Sequence, residues 1–302
     1  MSIGLNKLSD MCFVTQEYPL LILLSILCLA IAEPAGVSFI NFSEKPVKLF
    51  WLDEKNNSEK HVLDLQPYDD VGINSHIGHK FRYRLPGEEV NTIEVSEDSE
   101  VHVVGPDIVK VSCQSTSGEI HALIKPDWAP RGAARFLELV NMGYYDYCAL
   151  NRVVEKFLTQ FGISADFEMR TNFRTRNIPD DPPLDINFRP GFLSYAGHGP
   201  HSRSTEVFIV MPGVSSNQIE YFGKNPWETP FGYIVTDDLH NVVNKWQVYG
   251  DVPPHGEGPD PQKIYLEDGY DYLNKEFPKM SYLTQCKIVR EASVENGVSE
   301  EL

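Results

Sequence analysis

The stretch that decides how the chain reads is Asn151-Arg152-Val153-Val154-Glu155-Lys156-Phe157-Leu158-Thr159-Gln160-Phe161-Gly162. It sets one arginine a few residues ahead of an aromatic ring, an aliphatic side chain and an amide. Upstream, Pro130 suits the first position of a helix. Ala133, Phe136, Leu137 and Val140 then repeat at helical spacing, and Gly143 supplies a stop. Earlier still, Val109, Val111 and Cys113 alternate with polar residues, Ser117-Gly118 turns, and Ile120, Ala122 and Ile124 alternate again. That pattern predicts a β-hairpin. Downstream, residues 205–211 read as a buried strand, 238–246 as a second, shorter helix, and 253–261 as a Pro/Gly-rich surface loop. A hairpin, an amphipathic helix and further strands fit a β-barrel plugged by helices.

Three ordered segments carry a family resemblance. The first is the Arg152 stretch, preceded by Gly143-Tyr144-Tyr145-Asp146. The second is Gly191-Phe192-Leu193-Ser194-Tyr195-Ala196, then Gly199-Pro200 and residues 204–208. The third is Pro230-Phe231-Gly232-Tyr233-Ile234. Together, over residues 108–291, they resemble the cyclophilin-type peptidyl-prolyl isomerases. The resemblance implies a closed β-barrel with two capping helices and proline-containing peptide or protein clients. It also implies a catalytic Arg152, with Phe157, Leu158, Gln160, Ala196, Glu206 and Phe208 as substrate-binding residues. The chemistry needs no covalent step. Peptide-bond rotation meets a barrier of about 18–20 kcal/mol. A fixed guanidinium that donates to the prolyl nitrogen as it pyramidalises favours the twisted state over the planar one.

This chain departs from the family pattern in three places. Glu206 stands where the family usually has Gln, and Gly197 where it has Asn. In Asn225-Pro226-Trp227-Glu228-Thr229, one alignment keeps the family Trp as Trp227, and the other puts Glu228 at the family His. Both lose the His. An added carboxylate at 206 is expected to pair with Arg152 and weaken its donation. The alternative to an isomerase is therefore a weak or inactive proline-peptide binding protein.

Before residue 106, short apolar runs alternate with polar turns. Residues 47–52 and 62–65 are strand-like, and 53–60 and 66–70 are turns, which predicts a small β-sandwich. Asn41-Phe42-Ser43, Pro46-Val47, Trp51-Leu52, Leu65-Gln66-Pro67 and residues 74–81 resemble the von Hippel–Lindau β-domain. That resemblance implies a hydroxyproline site at Trp51, Ser75 and His79. The family's pocket tyrosine falls on His61 or Val62, and its later Trp on Phe81. The alternative is a plain core tryptophan and a strand-end histidine.

Asp and Glu number 43 against 26 Lys and Arg, a net charge of −17. Such a balance argues against a nucleic-acid partner. Residues 20–32 are nearly unbroken apolar chain, too short to span a bilayer comfortably, and end in Ala30-Ile31-Ala32. They read as a secretory signal peptide, which places the protein in the ER lumen or outside the cell with no stable membrane span. An uncleaved signal anchor is the alternative. Asn41 and Asn56 head glycosylation sequons. In the cyclophilin-like fold Cys113 and Cys286 lie on the first and last strands, which neighbour each other, so they are the expected disulfide; three unpaired core cysteines are the alternative. The pairs His198/His201 and His76/His79 lack further ligands, so no metal or other cofactor is expected. The expected organisation is a signal peptide (1–32), a sandwich (33–106), a cyclophilin-like domain (107–291) and an acidic tail (292–302), all-β dominated throughout.

Overall fold

The computed structural model describes residues 34–85 and 90–289; the expected signal peptide and acidic tail lie outside them. Seven strands come first: β1 (Pro34–Asn41), β2 (Val47–Asp53), β3 (Ser58–Leu65), β4 (Asp70–His76), β5 (Lys80–Arg84), β6 (Val90–Glu94) and β7 (Glu100–Val104). They make two sheets, ordered β4-β1-β7 and β3-β2-β5-β6. Val37 and Phe39 from one sheet and Val47, Leu49 and Phe81 from the other meet in one apolar cluster. That is a sandwich core.

Successive strand residues face opposite ways. So Ile40 and Phe42, out of phase with Phe39, turn from the sandwich and join the core of the following region. Arg131 strengthens this junction, with its Nε 3.3 Å from an Asp70 carboxylate oxygen.

The second region begins with the expected hairpin, β8 (Val109–Ser115) and β9 (Gly118–Ile124), and helix α1 (Pro130–Asn141). Phe136 and Leu137 on the apolar stripe of α1 are 2 % and 0 % exposed, and burying each stabilises the fold by about 1.5–3 kcal/mol. Gly143 ends the helix at φ +72°, a left-handed conformation with little penalty for glycine. Then follow β10 (Cys148–Ala149), β11 (Arg152–Val154), β12 (Leu158–Phe161), α2 (Phe167–Phe173), β13 (Phe192–Tyr195), β14 (Val207–Val210), α3 (Ser216–Ile219), β15 (Gly232–Ile234), α4 (Thr236–Asn241), α5 (Pro261–Ile264), α6 (Gly269–Glu276) and β16 (Tyr282–Ile288).

The nine strands form one curled sheet, ordered β10-β16-β8-β9-β15-β13-β14-β12-β11. This corrects the expectation of a closed barrel. The two edge strands, β10 and β11, follow each other in the chain, separated by Leu150 and Asn151, but share no ladder. The reason is local. Leu150 donates its N–H to the Ser281 carbonyl on the β16 side, and the edge of β11 away from β12 meets Gly250 in an isolated bridge at Val153. The helices also exceed the two expected. Most are one or two turns long, too short for an apolar stripe to register. Residues 238–246 split into α4 and a 3₁₀ turn, Val243–Lys245. Among the described residues no helix is long and apolar enough to cross a membrane.

Cys113 and Cys286 are ladder partners on β8 and β16 and are joined by a disulfide. Cys148 is a buried free thiol, pushed up to about 12 by burial. Asn41 contradicts its expected glycosylation. It is 0 % exposed, and its amide donates to the Lys45 and Leu65 carbonyls at 2.9 and 3.0 Å. Asn56 is exposed on the turn after β2.

Candidate active site

Arg152 opens β11, and its partner across the ladder is Gln160 of β12. Gln160 in turn faces Phe208 of β14. Directly paired residues on neighbouring strands share a face, so Arg152, Gln160 and Phe208 form one row across the sheet. Contacts follow that row: Arg152 Nη1 donates to Gln160 Oε1 at 3.2 Å, and Gln160 Nε2 donates to Glu206 Oε2 at 2.7 Å. Phe157, in the turn between β11 and β12, lies 5.9 Å from the guanidinium carbon. Ala196 donates its N–H to the Glu206 carbonyl at 2.9 Å. Leu158 and Phe208 join one apolar cluster, with Phe157 and Ala196 packed against it.

The expected Arg152–Glu206 pair does not form. Glu206 reaches Arg152 only through Gln160, and its second oxygen accepts from Tyr265 at 2.9 Å. Burial raises the Glu206 carboxyl above the usual range, against the opposing hydrogen bonds from Gln160 and Tyr265. Arg152 pairs instead with Asp251. Its Nε donates to Oδ1 at 2.8 Å and its Nη2 to Oδ2 at 3.2 Å. Burial opposes ionisation of Asp251, but the Arg152 and Val252 hydrogen bonds outweigh it and hold the carboxyl below its ordinary value. Sequence reasoning missed Asp251, since an isolated acid just ahead of a Pro/Gly-rich loop reads as a solvated surface residue.

The apolar hollow is covered as well. Phe208 is 4 % exposed, and the rings of Phe222 and Phe188 lie 5.3 and 6.2 Å from it. Phe222 lies equally close to Phe157, at 5.3 Å. Neither Phe188 nor Phe222 belongs to a recognised motif. Trp227 packs on Gly197, where an added Cβ would stand 2.5 Å from its ring; the glycine at the family Asn position is thus a steric need. Glu228 braces its own loop, accepting from the Gly223 N–H at 3.0 Å and from Asn225 Nδ2 at 3.1 Å.

Residues 108–265, just over half of the chain, match the family model described as cyclophilin type peptidyl-prolyl cis-trans isomerase/CLD. The chain belongs to the cyclophilin-type isomerase family. One relative is the peptidyl-prolyl cis-trans isomerase cyp15 of Rhizopus delemar, 25 % identical over 163 residues, or 53 % of this chain and 25 % of that one. Another is the peptidyl-prolyl isomerase CWC27 of Cryptococcus neoformans, 30 % identical over 137 residues, covering 45 % and 27 %. The chain thus spans about a quarter of the length of these relatives. A solved cyclophilin of Cryptosporidium parvum aligns with 16 % identity and a TM-score of 0.41, over 61 % of this chain and 99 % of that one. The row of Arg152, Gln160 and Phe208 lies within the matched cyclophilin region. Asp251 lies there too, but on a loop that none of the three motifs includes.

A second cluster lies in the sandwich. Trp51 comes from β2, Ser75 from β4, and His79 from the turn before β5. Their side chains meet: Ser75 Oγ is 3.0 Å from His79 Nδ1, and the Trp51 and His79 rings are 5.4 Å apart. Trp51 Nε1 is shut off from water and has no hydrogen-bond partner. Burial, then the nearby His76, lowers the His79 pKa below 6.5, favouring the neutral ring. Lys60 Nζ sits 5.0 Å over Trp51. Phe81 is a core residue, 2 % exposed.

Proposed function

We propose that this chain is a slow peptidyl-prolyl cis-trans isomerase acting on proline-containing polypeptides of the secretory pathway, with a second, hydroxyproline-directed site in its sandwich. The row of Arg152, Gln160 and Phe208 carries the first half. A prolyl ring resting against Phe157, Leu158 and Phe208 brings its nitrogen towards the guanidinium. Of the five N–H donors of Arg152, Asp251 takes two and Gln160 one, so two remain, either of which can serve the nitrogen as it pyramidalises. No covalent intermediate forms, and the gain comes from binding the twisted state better than the planar one. Turnover is slow because the substrate must displace Phe222 and because Arg152 is already ion-paired.

The same two contacts favour a second reading, in which the groove binds proline peptides without turning them over. A coupled isomerisation assay separates the two. The isomerase reading expects acceleration by the wild type that Arg152→Ala loses. Equal rates in both proteins, with peptide binding seen by calorimetry, select the binding module.

The proximity of Trp51, Ser75 and His79 supports the sandwich site. Aromatic walls would hold the ring, and Ser75 and His79 would hydrogen-bond its hydroxyl, which discriminates against plain proline. Calorimetry on paired peptides with and without the hydroxyl tests it, and equal affinities remove it. The compartment rests on the apolar run at 20–32 and on the disulfide, which suits an oxidising lumen. Secretion of the full chain, with loss of its first residues by mass spectrometry, checks it.

A further inference from the structure

The loop after Gly250 delivers a carboxylate to Arg152 from 99 residues away in sequence. It is tied to the strand that bears its target, because Gly250 donates its N–H to the Val153 carbonyl at 3.1 Å. The far side of the loop is fixed by the Gly258 N–H, which donates to the Asp251 carbonyl at 2.8 Å. The side chain is held from two directions. Arg152 takes both carboxylate oxygens, and the Val252 N–H donates to Oδ1 at 2.7 Å. Pro253 and Pro254 are exposed, so neither lies in the hollow, and the loop meets Arg152 through this carboxylate.

We infer that Asp251 is a positioning residue that fixes the plane of the Arg152 guanidinium and, by neutralising it, holds isomerase turnover below what Arg152 alone would give. The inference rests on the isomerase reading above. A hydrogen bond from a charged donor is about twice as strong as a neutral one. The transition state depends on donation from Arg152 to a nitrogen lone pair, so a carboxylate on the same fork weakens the interaction that lowers the barrier. Glu206, one amide further along the row, does not touch the guanidinium.

The test is steady-state kinetics on a proline peptide for the full chain and for Asp251→Asn, Asp251→Glu, Arg152→Ala and the Arg152→Ala/Asp251→Asn double variant. Asp251→Asn is expected to raise kcat about tenfold with KM little changed, the size of one charge-assisted advantage. Asp251→Glu, which keeps the charge, should return the rate towards the wild type, and the double variant should be no faster than Arg152→Ala. If Arg152→Ala is impaired but Asp251→Asn is no faster than the wild type, the inference fails and the isomerase reading stands. An Asp251→Asn variant with a lower melting temperature and no gain in kcat makes Asp251 merely structural and also overturns the inference. If Arg152→Ala equals the wild type, both fall.

Discussion

The Arg152 row and the Trp51 cluster differ in how the fold partners their hydrogen-bonding groups. Along the Arg152 row each polar side chain is held by the next: Arg152 by Asp251 and Gln160, Gln160 by Glu206, and Glu206 by Tyr265. In the sandwich, Trp51 Nε1 is buried without a partner, although an unpaired buried donor carries a real penalty. The stronger family match thus has an ion-paired arginine beside an apolar hollow covered by Phe222, and the weaker resemblance has a buried indole donor with no partner. Motif residues establish which groups are near one another. Their neighbours decide whether those groups face a ligand.

The largest expected effect breaks the comparison from the sheet side. Removing one preorganised transition-state donor costs about 10²–10³ in rate, and Arg152→Ala should lose about a hundredfold, at the low end because Asp251 already shares its charge. Stopped-flow rates on a proline peptide would measure it. Next comes the cover. Phe222→Ala should expose Phe208 and tighten proline-peptide binding about tenfold, in line with about 1.5–3 kcal/mol for a buried ring; calorimetric Kd values check this. On the sandwich side, Ser75→Ala should weaken a hydroxyproline peptide about fivefold, one net hydrogen bond, and leave the unhydroxylated peptide unaffected.

The smallest effect concerns Glu206. Its folded pKa lies above the ordinary value of 4.5 because of burial. Between those two pH values the folded state holds a proton that the unfolded chain has released. Stability from this group is therefore full below pH 4.5 and is lost as pH rises through the folded pKa. Glu206→Gln should melt a few degrees higher than the wild type at pH 7.5, with the gap closing towards pH 4.5, as thermal scans across that range would record.

The parts legible in the sequence are those set by short periods. The hairpin of β8 and β9, the stripe of α1 and the strand around Phe208 follow from alternation or helical spacing, and the row joining Arg152 to Gln160 follows from the turn between their strands. The alternating runs before residue 106 likewise forecast strands, although the order of the two sheets lay beyond them. The open edge, Asp251, Phe188 and Phe222 depend on where distant loops land, and no local pattern encodes that. Asn41 shows the reverse failure. Its sequon is a local match, yet the fold turns the amide inward to the Lys45 and Leu65 carbonyls.

The most direct measurement is exchange NMR on a peptide with both prolyl isomers populated, with the full chain added at catalytic concentration. The account predicts cis–trans exchange cross-peaks in the presence of the wild-type protein that vanish with Arg152→Ala. Cross-peaks of equal strength with the two proteins, or none with the wild type, would contradict it.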